Sequence, residues 1–219
     1  MDMQKIFNFL HNWKREIITF LVAFACLFLA ISFPAKGALQ LISRIAFFLV
    51  LLPALFIKLV LQKNLCDFGL NFSERKKGIF GASLMLLFSF FIAVILFYFF
   101  NLEEKYVVPI FIINHFWAFV FYELIVIGII LFVLSFFFHG FLQTTLEKKF
   151  GFWAPFFQFI LFISFLFFIE KLTWQYTPLI IFSLTGGIAS YYSRSFLFSC
   201  FSGIVFILFL DLYIIELVR

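Results

Sequence analysis

Charged residues are scarce in this 219-residue chain, at 12% of the sequence, whereas 65% of it is hydrophobic. A soluble domain needs a charged exterior, so this shortage excludes a water-soluble globular fold. The composition is instead typical of a protein embedded in a membrane. The length fits a single integral membrane domain, residues 1–219, with no room for a separate soluble domain.

Cysteine and histidine are also rare, with three of each. Cys26, Cys66 and Cys200 are far apart and form no C-x-x-C pair, and the two within apolar runs are most simply small hydrophobic residues. The net charge is +5, and the basic residues fall mainly between apolar runs. This pattern orients membrane proteins and argues against a nucleic-acid partner.

Seven apolar stretches predict an all-α, polytopic membrane helix bundle of about seven spans. A cleaved signal peptide is the alternative for the first stretch, but that stretch is long for one and no A-x-A pattern follows it. Pro53 predicts a kink in the second. Residues 101–115 are too short to span and predict a loop or a re-entrant piece. The expected spans are 17–33, 41–61, 79–100, 117–143, 153–169, 174–190 and 195–217.

Basic residues are distributed unevenly over this topology. With a cytoplasmic N-terminus, eleven Lys and Arg residues fall on the cytoplasmic side and five on the other, which favours N-in and C-out. We therefore expect a multi-pass protein of the plasma (inner) membrane, whose partner is the lipid bilayer. The eleven are Lys5, Lys14, Arg15, Lys58, Lys63, Arg75, Lys76, Lys77, Lys148, Lys149 and Arg194; the five are Lys36, Arg44, Lys105, Lys171 and Arg219.

A polar stripe marks the fourth stretch, around which we expect the rest of the chain to be organised. Ser135, His139 and Gln143 are four residues apart and therefore share one helix face. In a membrane such a face must meet protein or a water-filled cavity. We expect it to line a cavity with small residues of the sixth and seventh spans, namely Ser183, Gly187, Ser190, Ser199 and Ser202.

Two carboxylates lie inside predicted spans, at Glu123 and Asp211. An Asp at the bilayer centre costs ~2.5–3.5 kcal/mol on insertion scales. Each lies about two turns from a helix end, so the simplest expectation is that both side chains reach toward the interface. They are expected on the opposite side of the membrane from His139, so these groups cannot converge on one ion, and no metal site is predicted.

Two segments carry a resemblance to a known family. Residues 66–86, CDFGLNFSERKKGIFGASLML, and residues 134–151, LSFFFHGFLQTTLEKKFG, resemble a linker and a long helix of the CPBP family. These are intramembrane metalloproteases of the CAAX-protease and bacteriocin-processing type, also called abortive-infection proteins. Phe138, Gly140 and the Lys-Lys-Phe-Gly end match the family pattern, and the resemblance covers residues 60–210.

The resemblance implies a CPBP-like fold, but the catalytic motifs of the family are missing. Its Glu-Glu-x-x-x-Arg motif would fall on Leu134, Ser135 and His139. Its Phe-x-x-x-His motif falls near residues 165–169, which contain no histidine. A third motif of the family has a His followed four residues later by an Asn. At the corresponding positions this chain has Ser202 and Phe206.

The sequence therefore predicts a CPBP-related membrane protein without catalytic activity, which binds or scaffolds another membrane protein or a lipid-linked substrate. No cofactor is expected. One alternative is an active CPBP-type metalloendopeptidase with drifted motifs, which would need zinc. Another is a small subunit of a membrane complex, or a carrier, unrelated to proteases. The family and the size suggest a bacterial source.

Overall fold

The computed structural model describes residues 3–72, 74–113, 115–169 and 173–218. Side chains are described from residue 16 onward, except at 38, 103, 104, 110 and 218. Within these ranges the chain is almost entirely helical and contains no strand, which confirms the predicted all-α class.

Seven main helices account for most of the described chain, and each overlaps one predicted span. Short helical turns at Leu65–Phe68, Leu102–Lys105, Ile110–Ile113, Gly151–Trp153 and Trp174–Tyr176 connect them. The main helices are α1 Met3–Ser32, α2 residues 38–60, α3 Arg75–Phe100, α4 residues 116–150, α5 Ala154–Ile169, α6 Thr177–Ser193 and α7 Phe196–Val218.

Four helical runs are long and apolar enough to cross a membrane, and a shorter apolar helix covers Glu16–Ser32. The longest run contains the corner at Gly151, where a φ of +51° reverses the chain and brings α5 back against the end of α4. Large side chains such as Phe91 and Phe168 are exposed on the outside, as lipid contact requires. The chain is thus a membrane protein. The four runs are Leu39–Val60, Arg75–Phe100, Phe116–Ile169 and Phe196–Leu217.

Helices α2 and α4 contain π-helical turns. In α2 such turns lie on both sides of Pro53, at Phe47–Leu51 and Phe56–Val60, and the helix continues through the proline. In α4 they cover Tyr122–Ile127 and Ser135–Leu142. Wide turns of this kind change which residues face a neighbour and are frequent at functional sites. At ~1.5 Å per residue α4 is ~50 Å long, more than the ~30 Å hydrocarbon core.

Helix α6 lies at the centre of the bundle, packed on α3, α5, α7 and the second π-helical segment of α4. Its small residues make this close approach possible: a Cβ at Gly186 would lie 2.5 Å from the Ser199 hydroxyl of α7. A hydrogen bond of 2.9 Å from Ser89 to Thr185 ties it to α3. The central helix is therefore surrounded by protein on several sides, which positions its polar groups against α4.

Two apolar clusters flank the polar region. The first joins α1 and α2 to α5 and the later half of α4, through aromatic pairs such as Phe138 with Phe162. The second joins α3 and α7 to the earlier half of α4, through residues such as Leu131 and Phe206. Between them, α4, α5, α6 and α7 share a layer of buried polar side chains.

Candidate functional site

The polar stripe of α4 faces the interior. The exposed fractions of Ser135, His139 and Gln143 are 0%, 2% and 0%. Flanking Phe residues occupy the neighbouring faces of the helix, so the three polar groups are enclosed by protein. Since the interior offers no water to most of these atoms, their hydrogen bonds depend on what α5, α6 and α7 present.

His139 joins three helices. Its Nε2 lies 3.2 Å from the carbonyl oxygen of Ser183 on α6, and its Nδ1 lies 2.8 Å from the hydroxyl oxygen of Ser199 on α7. A carbonyl oxygen can only accept, so the neutral ring carries its hydrogen on Nε2, and the Ser199 hydroxyl donates to Nδ1. Ser190 also donates to the His139 carbonyl, at 3.3 Å. Both ring nitrogens are therefore used in helix packing.

Gln143 makes the second crossing from α4 to α6. Its amide nitrogen donates to the Gly187 carbonyl at 2.9 Å and to the Glu147 carboxylate, one turn further along α4, at 3.0 Å. Gln158 of α5 approaches the same region and donates to the Ser183 hydroxyl at 3.1 Å. The two glutamines thus meet next to α6, although they belong to different helices.

Three buried oxygen atoms of this layer lack a hydrogen-bond partner: Gln143 Oε1, Gln158 Oε1 and Ser135 Oγ. The Ser135 hydroxyl lies beside the Cys200 thiol without a well-formed bond to it. Buried polar atoms are nearly always paired, so each unpaired one calls for an explanation. These atoms therefore mark a polar layer whose hydrogen-bonding capacity is not fully used by its own side chains.

A polar cavity of about 480 Å³ opens at one end of this layer, where α3 begins and where α4 and α6 end. At its edge the Lys77 ammonium lies 2.9 Å from the Glu74 carboxylate, and this contact holds the pKa of Glu74 below its usual value. Arg194, at the end of α6, has a left-handed backbone with a φ of +51°. The residues that line the cavity are Glu74, Lys77, Glu147, Gly151, Tyr191, Tyr192 and Arg194.

Glu123 and Asp211 meet in a separate place. They are 0% and 2% exposed, and their carboxyl groups lie beside each other and near Tyr106, but both Glu123 oxygens and Asp211 Oδ1 lack a well-formed hydrogen bond. The expectation that both would reach the interface was therefore wrong. Two buried carboxyl groups side by side disfavour the state in which both are ionised. Burial and the neighbouring Asp211 raise the pKa of the Tyr106 phenol, so it stays a hydrogen-bond donor.

The other residues predicted to line the cavity belong to α6 and α7. Ser183 and Gly187 contact the α4 stripe through their backbone carbonyls. Ser202 does not join them: it is half-buried, lines a groove toward α3 and donates to the Ser199 carbonyl at 2.8 Å. Sequence reasoning missed Gln158, although an amide within the run PFFQFILF was a usable signal.

The two segments that resemble the CPBP family pack against each other. A Cβ at Gly140 of α4 would lie 2.9 Å from the Phe68 carbonyl, so only glycine allows this approach. The turn that contains Phe68 ends at Gly69, whose φ is +89°. The Ser195 hydroxyl oxygen then lies 3.0 Å from the Gly69 carbonyl oxygen and 2.6 Å from the Asn71 carbonyl oxygen, and its single hydrogen is donated to one of them. This contact connects the linker to the start of α7.

Within the part of the chain that the structure describes, no three His, Cys, Asp or Glu side chains lie close enough to hold one ion. Glu123 lies in the first π-helical segment of α4 and His139 in the second. Glu170, adjacent to the second motif position at residues 165–169, lies outside the described residues.

Comparison of the chain with protein-family models, with characterised proteins and with solved structures finds no match.

Proposed function

We propose that this chain is a seven-span, CPBP-related membrane protein whose polar layer serves in binding or scaffolding and not in metal-dependent proteolysis. Its partner is another membrane protein or a lipid-linked substrate. The single domain would lie in the inner membrane of a bacterium with its N-terminus in the cytoplasm. Support for the span count comes from the seven main helices, each of which overlaps one predicted span.

The observation that carries the proposal is the set of unpaired, buried acceptor atoms between α4, α5 and α6. Gln143 Oε1 and Gln158 Oε1 belong to side chains with no exposed surface. Leaving a buried polar atom unpaired costs about 1–3 kcal/mol. A hydrogen-bond donor from a bound partner would remove this cost. The two unpaired oxygens therefore favour a binding role.

The chemistry of the site supports this proposal over proteolysis. A catalytic zinc site needs about three protein ligands, an open position for water and a base. In the family, the paired glutamates supply part of that machinery, but Leu134 and Ser135 stand there in this chain. The remaining histidine donates to the Ser183 carbonyl and accepts from the Ser199 hydroxyl, so it is not directed at a vacant position.

Metal content and partner capture of the purified protein test the proposal together. We expect no stoichiometric zinc, no chelator-sensitive proteolysis, and a co-purifying partner whose yield falls in Gln158→Leu, which removes one of the unpaired acceptors. Ser135→Ala is the matched control, because it removes one polar group from the same layer and should change partner yield little. One tightly bound zinc per chain would instead favour the active metalloendopeptidase.

A second candidate, a carrier or a subunit of a membrane complex, is favoured by one observation. Glu123 and Asp211 form a buried carboxyl pair on α4 and α7, and intramembrane carboxyl groups commonly serve proton or ion movement. Reconstituted liposomes that show proton flux, abolished by Asp211→Asn and unaffected by His139→Leu, would select this function over the first.

A further inference from the structure

We propose that Glu123 and Asp211 form a proton-binding site that exchanges its proton with water beneath residues 102–113, a segment held over the pair by Gln175. These residues, which we call the cover segment, lie between α3 and α4 in the chain. The inference goes beyond the binding role of the polar layer. It also requires no transport across the membrane, so it does not depend on the carrier function considered above.

The carboxyl pair offers hydrogen-bond acceptors without donors. Both oxygens of Glu123 and Oδ1 of Asp211 are buried and have no hydrogen-bond partner. No described Lys, Arg or His forms an ion pair with either group. A buried charge without such a partner is costly, whereas a bound proton removes one charge and turns one acceptor oxygen into a donor. The unpaired oxygens therefore mark a place for a proton.

The other titratable groups beside the pair are phenols. Tyr106 of the cover segment lies near Asp211, and Tyr122 precedes Glu123 on α4. The parts of α3 and α6 that pack in the same cluster contribute apolar side chains, such as Ala93. A neutral phenol can donate a hydrogen bond to a carboxylate, but it cannot neutralise the charge. The two carboxyl groups themselves therefore bind the proton.

Water is nearest to the pair on the side of the cover segment. Glu123 lies about two turns after the start of α4, and Asp211 lies about two turns before the end of α7. At ~1.5 Å per residue both are ~10 Å from these helix ends, whereas α4 continues for ~40 Å beyond Glu123 in the other direction. The cover segment follows the end of α3 and precedes the start of α4, so it lies on the nearer side.

The cover segment packs over the pair with apolar side chains. Val108 and Ile112 are 5% and 1% exposed. They belong to the same apolar cluster as Leu210, the neighbour of Asp211 on α7. Tyr106, two residues before Val108, is half-buried. Because the unpaired oxygens are buried in this arrangement, exchange of the proton with water requires a local opening of the segment.

Gln175 holds the cover segment from the short turn that precedes α6. Its amide nitrogen donates to the carbonyl oxygen of Val107 at 2.7 Å, and its amide oxygen accepts from the Val107 N–H at 3.2 Å. Val107 follows Tyr106 and is exposed, so these two hydrogen bonds lie at the surface. Lys105 adds a contact with Trp174, 4.6 Å from the ring centroid. Gln175 therefore controls how often the segment opens and the pair meets water.

The test measures hydrogen–deuterium exchange of the buried carboxyl groups in the purified full-length protein. Infrared spectroscopy detects the C=O stretching band of a protonated carboxyl group, which shifts when deuterium replaces the hydrogen. We expect a component of this band at neutral pH that the double variant Glu123→Gln, Asp211→Asn lacks, and that shifts slowly in heavy water. A wild-type spectrum without that component overturns the inference.

Variants of Gln175 test the route of exchange. Gln175→Ala removes both hydrogen bonds to Val107, so exchange should become about tenfold faster or more. Gln175→Glu keeps the acceptor oxygen and loses the donor, so its rate should lie between wild type and alanine, and it provides the test if the alanine variant fails to fold. Gln40→Ala is the matched control, an exposed glutamine at the start of α2 that accepts from the Lys36 N–H at 2.7 Å. Wild-type rates in both Gln175 variants, or equal acceleration in Gln40→Ala, overturn the inference.

These results are separable from those for the proposed function. If partner capture depends on Gln158 while exchange does not depend on Gln175, the binding role stands and this inference fails. If exchange depends on Gln175 and no partner is captured, the proton site stands and the binding role fails. Exchange that depends on Gln175 without proton flux in liposomes excludes the carrier and leaves the proton site in place.

Discussion

Substitution of Gly186 by alanine gives the sharpest test of how α6 and α7 meet at His139. The added Cβ would lie 2.5 Å from the Ser199 hydroxyl oxygen and 2.7 Å from His139 Cε1. It would also lie 3.0 Å from the ring of Phe182, which packs edge-on against the histidine. Contacts this short force at least one neighbour to move. The shortest contact is with the Ser199 hydroxyl oxygen, so its movement would disturb the hydrogen bond between Ser199 and His139.

The expected cost combines three effects. Overpacking a well-packed interior costs about 1–3 kcal/mol. Loss of one interhelical hydrogen bond in a membrane adds ~0.6 kcal/mol. Alanine regains at most ~1 kcal/mol through its higher helix propensity. With the full propensity gain, Gly186→Ala should therefore lower the free energy of unfolding by about 0.6–2.6 kcal/mol. Gly128→Ala is the matched control, because its Cβ would come no closer than 3.8 Å to a neighbour and should cost nothing.

Reversible unfolding of the purified protein in a denaturing detergent measures both variants. A double-mutant cycle with Ser199→Ala gives a second test, because removal of the hydroxyl also removes the 2.5 Å contact. Gly186→Ala should then cost less in the Ser199→Ala background than alone. Equal stability of Gly186→Ala and Gly128→Ala would refute the close packing of α6 on α7 on which the site depends.

Two further predictions concern orientation and the carboxyl pair. Reporter fusions after Lys77 and Lys149 should be cytoplasmic and a fusion after Arg219 external, because of the uneven distribution of basic residues; a cytoplasmic C-terminus would contradict a seven-span topology. Glu123→Gln should change the free energy of unfolding by less than ~1 kcal/mol, since the amide keeps the volume of the side chain and can donate to the neighbouring Asp211, whereas Glu123→Ala should lower it by about 2–3 kcal/mol. Thermal unfolding of both variants checks this, and equal melting temperatures would argue against the paired carboxyl groups.

Much of the helical framework could be predicted from the sequence, because it depends on short-range properties. Each apolar run is long enough for a helix and is bounded by polar, proline or glycine residues, as at Pro34 and Gly37. The short segment 101–115 was expected not to span, and its two helices, Leu102–Lys105 and Ile110–Ile113, have four residues each. Helical spacing alone groups Ser135, His139 and Gln143 on one face.

The partners of that face depended on tertiary structure. Gln158 is isolated in its own helix, and only the reversal at Gly151 brings it to Ser183. Ser202 has the same chemistry as Ser199, three residues earlier, yet the rotation of α7 turns it toward α3. Glu123 and Asp211 looked like two isolated charges near helix ends, but the crossing of α4 and α7 pairs them.

The physical reason is the range of the interactions. Hydropathy and periodicity determine where helices form and which residues share a face, since these properties repeat every few residues. Which faces meet depends on the crossing of helices far apart in the chain, on close contacts at single glycines such as Gly186, and on π-helical turns that change the register of α4. The sequence by itself therefore determined a membrane helix bundle with a polar stripe, and the tertiary structure decided that the stripe faces the backbone carbonyls of α6 and the Ser199 hydroxyl of α7.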